Sequence, residues 1–383
     1  MKTISRFLPI YFLSLFFATC DSGDDGNQPA ATGTVSGIVS AAKDQSPIAD
    51  AEVTIGSLKA NSAADGRFEL SNVPTGMAAI RAEASGFDPS EESIQVKEGQ
   101  NNHNIELKKP SIYERDPFTM YLPPEIEEVR GVFFFLTADF DSRPWIRGDI
   151  TNSFEATAAR VLIEELMKTY GFAFIGNDHS HYADFFPNEA MISALEDFAV
   201  ASDHPELARA PILPFGYSVG GGRVINFSFS YPERIIGAYS YKGVIYNFSD
   251  QNWETLRSIP VFLHMGENDT QTGSLIPIPK QFGPNRKEGA LWAAGVEKGV
   301  AHEFNLPIVF MTTWMEGLII SRIPVTVPPG TTPVLNVIEE ESGWLGDLAS
   351  LEIKPYAEFQ GDPALSSWLP NEETANAWRT KFK

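Results

Sequence analysis

Cysteine is almost absent from this chain: Cys20 stands alone among 383 residues. No internal disulfide can form, so the fold must rest on packed cores. Positive charge is scarce too. Lys and Arg number 29 against 50 Asp and Glu, a formal net charge of −21. A phosphate backbone is bound by clustered cations, so nucleic acid is excluded as a partner and the acidic surplus reads as solubility outside the cytoplasm. There are six histidines, and none stands in a His/Cys cluster with the spacing of a zinc site, so neither metal nor cofactor is expected. What is plentiful is apolar: 43% of residues are hydrophobic and 12% aromatic, enough for sizeable cores in two or three domains.

The N-terminus reads as an address. Residues 1–6 are basic, Phe7 to Phe17 are apolar but for Ser14, and Phe17-Ala-Thr-Cys20 follows. The run is too short for a comfortable membrane span and reads as a secretory signal. It resembles the bacterial lipoprotein signal, over residues 1–19, which implies lipidation of Cys20 and a membrane partner through that anchor. Residues 20–33 are rich in Asp, Gly, Asn, Ser and Ala and read as a flexible tether.

From residue 34 to 108, short alternating runs are separated by turn residues, as in a small all-β unit. Strands are expected at Val35–Val39, Ala51–Ile55, Arg67–Leu70, Ala78–Ala82, Ser93–Val96 and Asn104–Leu107. His103 has no companion and reads as a surface residue. Pro47-Ile-Ala-Asp-Ala-Glu-Val53, Asp65-Gly-Arg-Phe-Glu-Leu70, Val73-Pro-Thr-Gly76 and Ala84-Ser-Gly-Phe87 resemble the carboxypeptidase regulatory-like β-sandwich. That implies a non-catalytic spacer or adhesion module.

Residues 111–383 change character. Buried strands at Arg130–Leu136, Gly171–Gly176, Pro211–Phe215, Ile235–Ser240, Pro260–His264 and Leu291–Val296 alternate with helical patterns at Ser153–Tyr170, Ala190–Ala201 and after Ser218. This is the pattern of a doubly wound, mostly parallel α/β sheet. A last helix is expected over Leu306–Ile323, and the aromatic tail around Trp344, Trp368 and Trp378 reads as packing across the sheet edge or as a substrate wall.

Gly216-Tyr-Ser-Val-Gly220 fits G-x-S-x-G, the turn that pushes a serine hydroxyl out at the top of such a sheet. A serine hydroxyl is a poor nucleophile without a base, and the base needs a group to orient it. Asp269 and His302 follow in that order, each on a loop after a later strand. Ser218 is therefore assigned as nucleophile, His302 as base and Asp269 as orienting carboxylate. Asp250 and Glu267 compete with Asp269; His179, His181 and His264 compete with His302, His264 being read as a core histidine. The Val219 amide is one expected oxyanion donor. The second is assigned to Ala138 or Asp139 on the loop after the first strand, with Ala138 preferred. Asp139, His179 and Tyr217 are expected to line the substrate pocket, and Asp178-His-Ser-His181 is read as pocket lining rather than a metal site. Together these residues resemble the α/β-hydrolase superfamily, nearest to feruloyl and acetylxylan esterases and polyhydroxyalkanoate depolymerases. The resemblance implies hydrolysis of a small or polymeric ester through an acyl-enzyme. The readings weighed against it are a peptidase on the same fold and a glycan-binding surface lipoprotein with an inactive hydrolase domain.

Overall fold

The computed structural model describes residues 31–137, 141–149, 154–178, 188–243, 253–270, 278–328 and 330–383. Residues 1–30, with the expected signal segment, Cys20 and most of the expected tether, lie outside them. Among the described residues no helix is long and apolar enough to cross a membrane.

The first unit contains β1 (Thr32–Ala41), β2 (Glu52–Ile55), β3 (Leu58–Asn61), β4 (Arg67–Pro74), β5 (Gly76–Glu83), β6 (Ser90–Val96), β7 (Gly99–Asn102) and β8 (Ile105–Leu107). They form two sheets. β1 pairs antiparallel with β4 and parallel with β7 and β8; the other sheet runs β3-β2-β5-β6. Alternate residues such as Val35, Val53, Phe68, Leu70, Ile80 and Val96 close a shared core, as the pleat requires. All six expected strands are present. β3 and β7 were not expected: Leu-Lys-Ala-Asn alternates over only four residues, with Leu58 and Ala60 packed partly buried on the core, and Gly-Gln-Asn-Asn has no apolar residue. His103 lies near the surface with Nε2 2.9 Å from Glu92 Oε2.

The second unit opens with a hairpin, β9 (Ile112–Arg115) and β10 (Phe118–Tyr121), and continues with β11 (Gly131–Leu136), β12 (Phe172–Asn177), β13 (Ile212–Tyr217), β14 (Ala238–Tyr241), β15 (Val261–Gly266) and β16 (Trp292–Glu297). One sheet contains them all, in the order β16-β15-β14-β13-β11-β12-β10-β9. β11 to β16 are parallel; β10 runs antiparallel to both β12 and β9. The hairpin was missed because its four-residue strands lack a long apolar run. Helices cover both faces: α1 (Arg143–Arg147), α2 (Phe154–Tyr170), α3 (Asn188–Ser202), α4 (Val219–Ser230), α5 (Glu254–Arg257), α6 (Gly283–Lys287), α7 (Ile308–Arg322) and α8 (Glu372–Phe382). The triplet Phe133-Phe134-Phe135 shows why β11 is apolar throughout. Phe134 joins the core under α3 and α4, whereas Phe133 and Phe135 join the core under α2, α7 and α8.

The tail forms a small sheet of β17 (Trp344–Asp347), β18 (Ile353–Pro355) and β19 (Ser366–Leu369), followed by α8. Trp368 and Trp378 are buried in the second core, in line with packing across the sheet edge, and Trp344 packs partly buried against the same core. Trp378 Nε1 donates to the Ala294 carbonyl at 2.8 Å. Trp378→Ala is expected to destabilise the second unit by about 3–5 kcal/mol, read as a lowered denaturant midpoint in the circular dichroism of the full chain.

Candidate active site

β13 ends at Tyr217 and α4 begins at Val219, so Ser218 alone makes the turn, at φ 56°, ψ −125°. Two glycines permit it. A Cβ on Gly220 would lie 2.1 Å from the Leu136 carbonyl oxygen, and one on Gly216 would lie 2.5 Å from that of Gly220. The Ser218 N–H is anchored to the Tyr241 carbonyl at 3.0 Å.

Asp269 sits in the turn after β15, and His302 on the loop after β16. The three side chains meet. His302 Nδ1 lies 2.7 Å from Asp269 Oδ2, and His302 Nε2 lies 2.9 Å from Ser218 Oγ. Nδ1–H donating to the carboxylate leaves Nε2 free to accept the serine proton. Ser218 is 7% exposed and Asp269 4%, so the hydrogen bonds lie largely out of water. Of the competing acids, Glu267 accepts from the Gly299 N–H at 2.8 Å and so ties down the histidine loop, while Asp250 lies outside the described residues.

Val219 is the first residue of α4, so its N–H has no intrahelical acceptor. Ala138, Asp139, His179 and His181 fall outside the described residues. Buried Asn177 holds Thr137, the residue before 138: its Oδ1 accepts from the Thr137 N–H and its Nδ2 donates to the Thr137 carbonyl, both at 3.1 Å. Asp178 is buried and paired with Arg143 at 2.6 Å, and Arg143 also meets Asp116 and Asp141. No group of three potential metal ligands occurs among the described residues.

Tyr217, expected in the pocket, lies against His302. It is buried, its ring stacks on the His302 ring at 5.1 Å, and its hydroxyl donates to the His302 carbonyl at 3.0 Å. Phe304 packs edge-on against Tyr217 and is 44% exposed beside the site. Sequence reasoning missed it; its only signal is an aromatic two residues beyond the base.

His264 lies wholly inside, as expected of a core histidine. Nδ1 is 2.5 Å from the Tyr239 hydroxyl, and Nε2 is 3.3 Å from Glu297 Oε2; Glu297 Oε1 pairs with Lys381. Burial holds the His264 pKa down at about 4, against the pull of Glu297. Burial pushes Glu297 up, but the His264 and Lys381 contacts outweigh it and bring its pKa to about 2.

Counted from the β9 edge, the sheet takes its strands in the chain order first, second, fourth, third, fifth to eighth. The second is antiparallel, and Ser218, Asp269 and His302 follow the fifth, seventh and eighth. This is the α/β-hydrolase fold. The preceding unit is a carboxypeptidase regulatory-like domain, whose family model matches residues 34–108. No curated protein matches the chain. Among solved structures, it is similar to an S-formylglutathione hydrolase from Agrobacterium tumefaciens, at 12% identity over 62% of this chain and 96% of that one, TM-score 0.37. It is similar to a CIB-like hydrolase from Thermoplasma acidophilum at 14% identity over 55% of this chain and 93% of that one, TM-score 0.33. A type II cohesin–X-dockerin complex from Acetivibrio cellulolyticus matches 21% of this chain at 18% identity, TM-score 0.19; the chain spans 59%, under two thirds, of that relative's length.

His264 makes stability depend on pH. Its folded pKa lies near 4 against an ordinary 6.5, so the unfolded chain binds the extra proton first as pH falls. Stability is therefore lost between pH 6.5 and 4, by about 2–3 kcal/mol from this residue. Denaturant melts at pH 7 and pH 4 should show a correspondingly smaller loss for His264→Gln than for the unaltered chain.

Proposed function

We propose that the protein is a serine hydrolase that cleaves carboxylic esters through an acyl-enzyme. The observation that carries this reading is the continuous hydrogen-bonded path Asp269–His302–Ser218 at the strained turn. His302 Nε2 takes the Ser218 proton as Oγ attacks the ester carbonyl. The resulting oxyanion lies against the Val219 amide at the start of α4, with a second donor from the 138–140 loop. His302 then returns the proton to the departing alcohol. Water repeats the sequence on the acyl-enzyme and releases the acid. Asp269 holds the ring in the tautomer that makes Nε2 the acceptor and stabilises the imidazolium as it forms. Each oxyanion donor contributes about 2.7–4 kcal/mol to the transition state.

The favoured substrates are ester-bearing side chains of poly- or oligosaccharides, or polyesters, met outside the cytoplasm. The secretory signal, the Cys20 motif and the tether support this, as they describe an exported chain anchored by lipid to the cell envelope. The hydrogen-bonded geometry favours an active enzyme over an inactive adhesion domain.

The test is a panel of aryl esters with Ser218→Ala and Asp269→Asn. The serine variant should lose kcat by on the order of 10⁶-fold and label no longer with an active-site fluorophosphonate. The aspartate variant should lose on the order of 10⁴-fold. Hydrolysis or labelling unchanged in Ser218→Ala would overturn the assignment.

A further inference from the structure

His302 is carried by a segment with neither helix nor strand, residues 301–307. Such a loop has no ladder of backbone bonds to fix it, yet a general base must be held to within about 0.5 Å of its working position. Three side chains do what a ladder does elsewhere. Tyr217, at the end of β13, donates its hydroxyl to the His302 carbonyl at 3.0 Å. Lys242, just past β14, donates Nζ to the Glu303 carbonyl at 2.8 Å. Tyr241, the last residue of β14, donates its hydroxyl to the Asn305 carbonyl at 2.6 Å. Three carbonyls within four residues are thus held by donors from two neighbouring strand ends.

Lys242 is the unexpected member. It is completely buried, and burying an ammonium is costly. Its backbone is itself special: φ is +48°, and its N–H donates to the His264 carbonyl at 2.7 Å. Nζ lies 4.8 Å from the centre of the Tyr241 ring. Glu303, Glu297, Asp269 and Lys381 are the charged groups around it, and burial holds its pKa below the ordinary lysine range. A residue needed only to fill space there would be cheaper as methionine, which has similar volume and no charge. What lysine adds is a donor aimed at the loop.

We infer that Lys242 is a positioning residue for the proposed catalytic base, gripping with Tyr217 and Tyr241 the three carbonyls that set the place of His302. The inference rests on the serine-hydrolase reading, and its test separates the two. Full-length Lys242→Met, Lys242→Gln and Tyr241→Phe are compared on an aryl ester, with amide hydrogen exchange of residues 302–305 as a readout that needs no substrate. Lys242→Met should lower kcat by about 10²-fold, the usual consequence of a misplacement near 1 Å, with KM within about twofold. Exchange across 302–305 should accelerate. Lys242→Gln keeps an N–H donor and should recover much of the loss. Tyr241→Phe should fall in the same direction, and joining it to Lys242→Met should cost less than the product of the two, because both act on one loop. A kcat unchanged in Lys242→Met, or a loss equal in Gln and Met, overturns the clamp. If Lys242→Met fails to fold, Tyr241→Phe decides by the same readouts. An unaltered chain that neither turns over nor labels would sink the hydrolase reading, while faster exchange in the variants would still support the clamp.

Discussion

At Ser218 a side-chain-bearing residue sits at φ 56°, ψ −125°, a conformation that costs about 1–3 kcal/mol and persists only where its surroundings dictate it. Those surroundings are the parallel sheet. β11 and β13 lie side by side, and the start of α4 is pressed against the end of β11 so closely that Gly220 has no room for a Cβ. The close approach and the strain have one cause: the chain reverses from strand to helix within a single residue. That reversal presents Oγ to His302 and leaves the Val219 amide at the head of a helix. The parts of the site come from strand ends, so the register of the sheet determines their spacing.

Much of this was legible in the sequence because it rests on local rules. Gly216 and Gly220 are required by sterics at fixed offsets from Ser218, and Asp269 follows two strands after Ser218 and His302 one strand after that. The continuous apolar runs of β11, β12 and β15 announced strands buried on both faces. The β9–β10 hairpin was not legible, since Ile112–Arg115 and Phe118–Tyr121 become strands by pairing with the sheet and with each other. The contact of Tyr217 with His302 was not legible for a similar reason. The tyrosine's position beside Ser218 suggested a pocket wall, but only the return of the chain 85 residues later places the His302 carbonyl within its reach. Lys242 gave no signal at all, because nothing local to Tyr-Lys-Gly shows that the side chain will be buried or what it will meet.

The two units have separate cores, and the link between them, residues 108–111, runs directly into β9 at the far edge of the large sheet. Asp269 and His302 follow β15 and β16 at the opposite edge. The β-sandwich is joined at the end of the sheet away from Asp269 and His302. Across the link, Lys109 pairs with Asp203 at 3.2 Å, with both side chains well exposed, a contact that contributes little.

Carrying His302 after β16 sets a structural problem, because β16 is the edge strand of the sheet. An edge strand exposes unpaired N–H and C=O groups and invites pairing with other chains. The tail answers this with side chains. Ser367 accepts from the Ala294 N–H and donates to the Ala294 carbonyl, each at 2.9 Å, and Trp378 donates to the same carbonyl. Further along, Lys381 pairs with Glu297, and Phe382 packs against His264 at 4.9 Å and fills the space where Gly295 lacks a side chain. The last forty residues, which carry no catalytic motif, thus close the open edge of the strand that leads into the His302 loop. The donors on Tyr217, Tyr241 and Lys242 fix that loop from the sheet side, so His302 is held by side chains from both directions where backbone pairing stops.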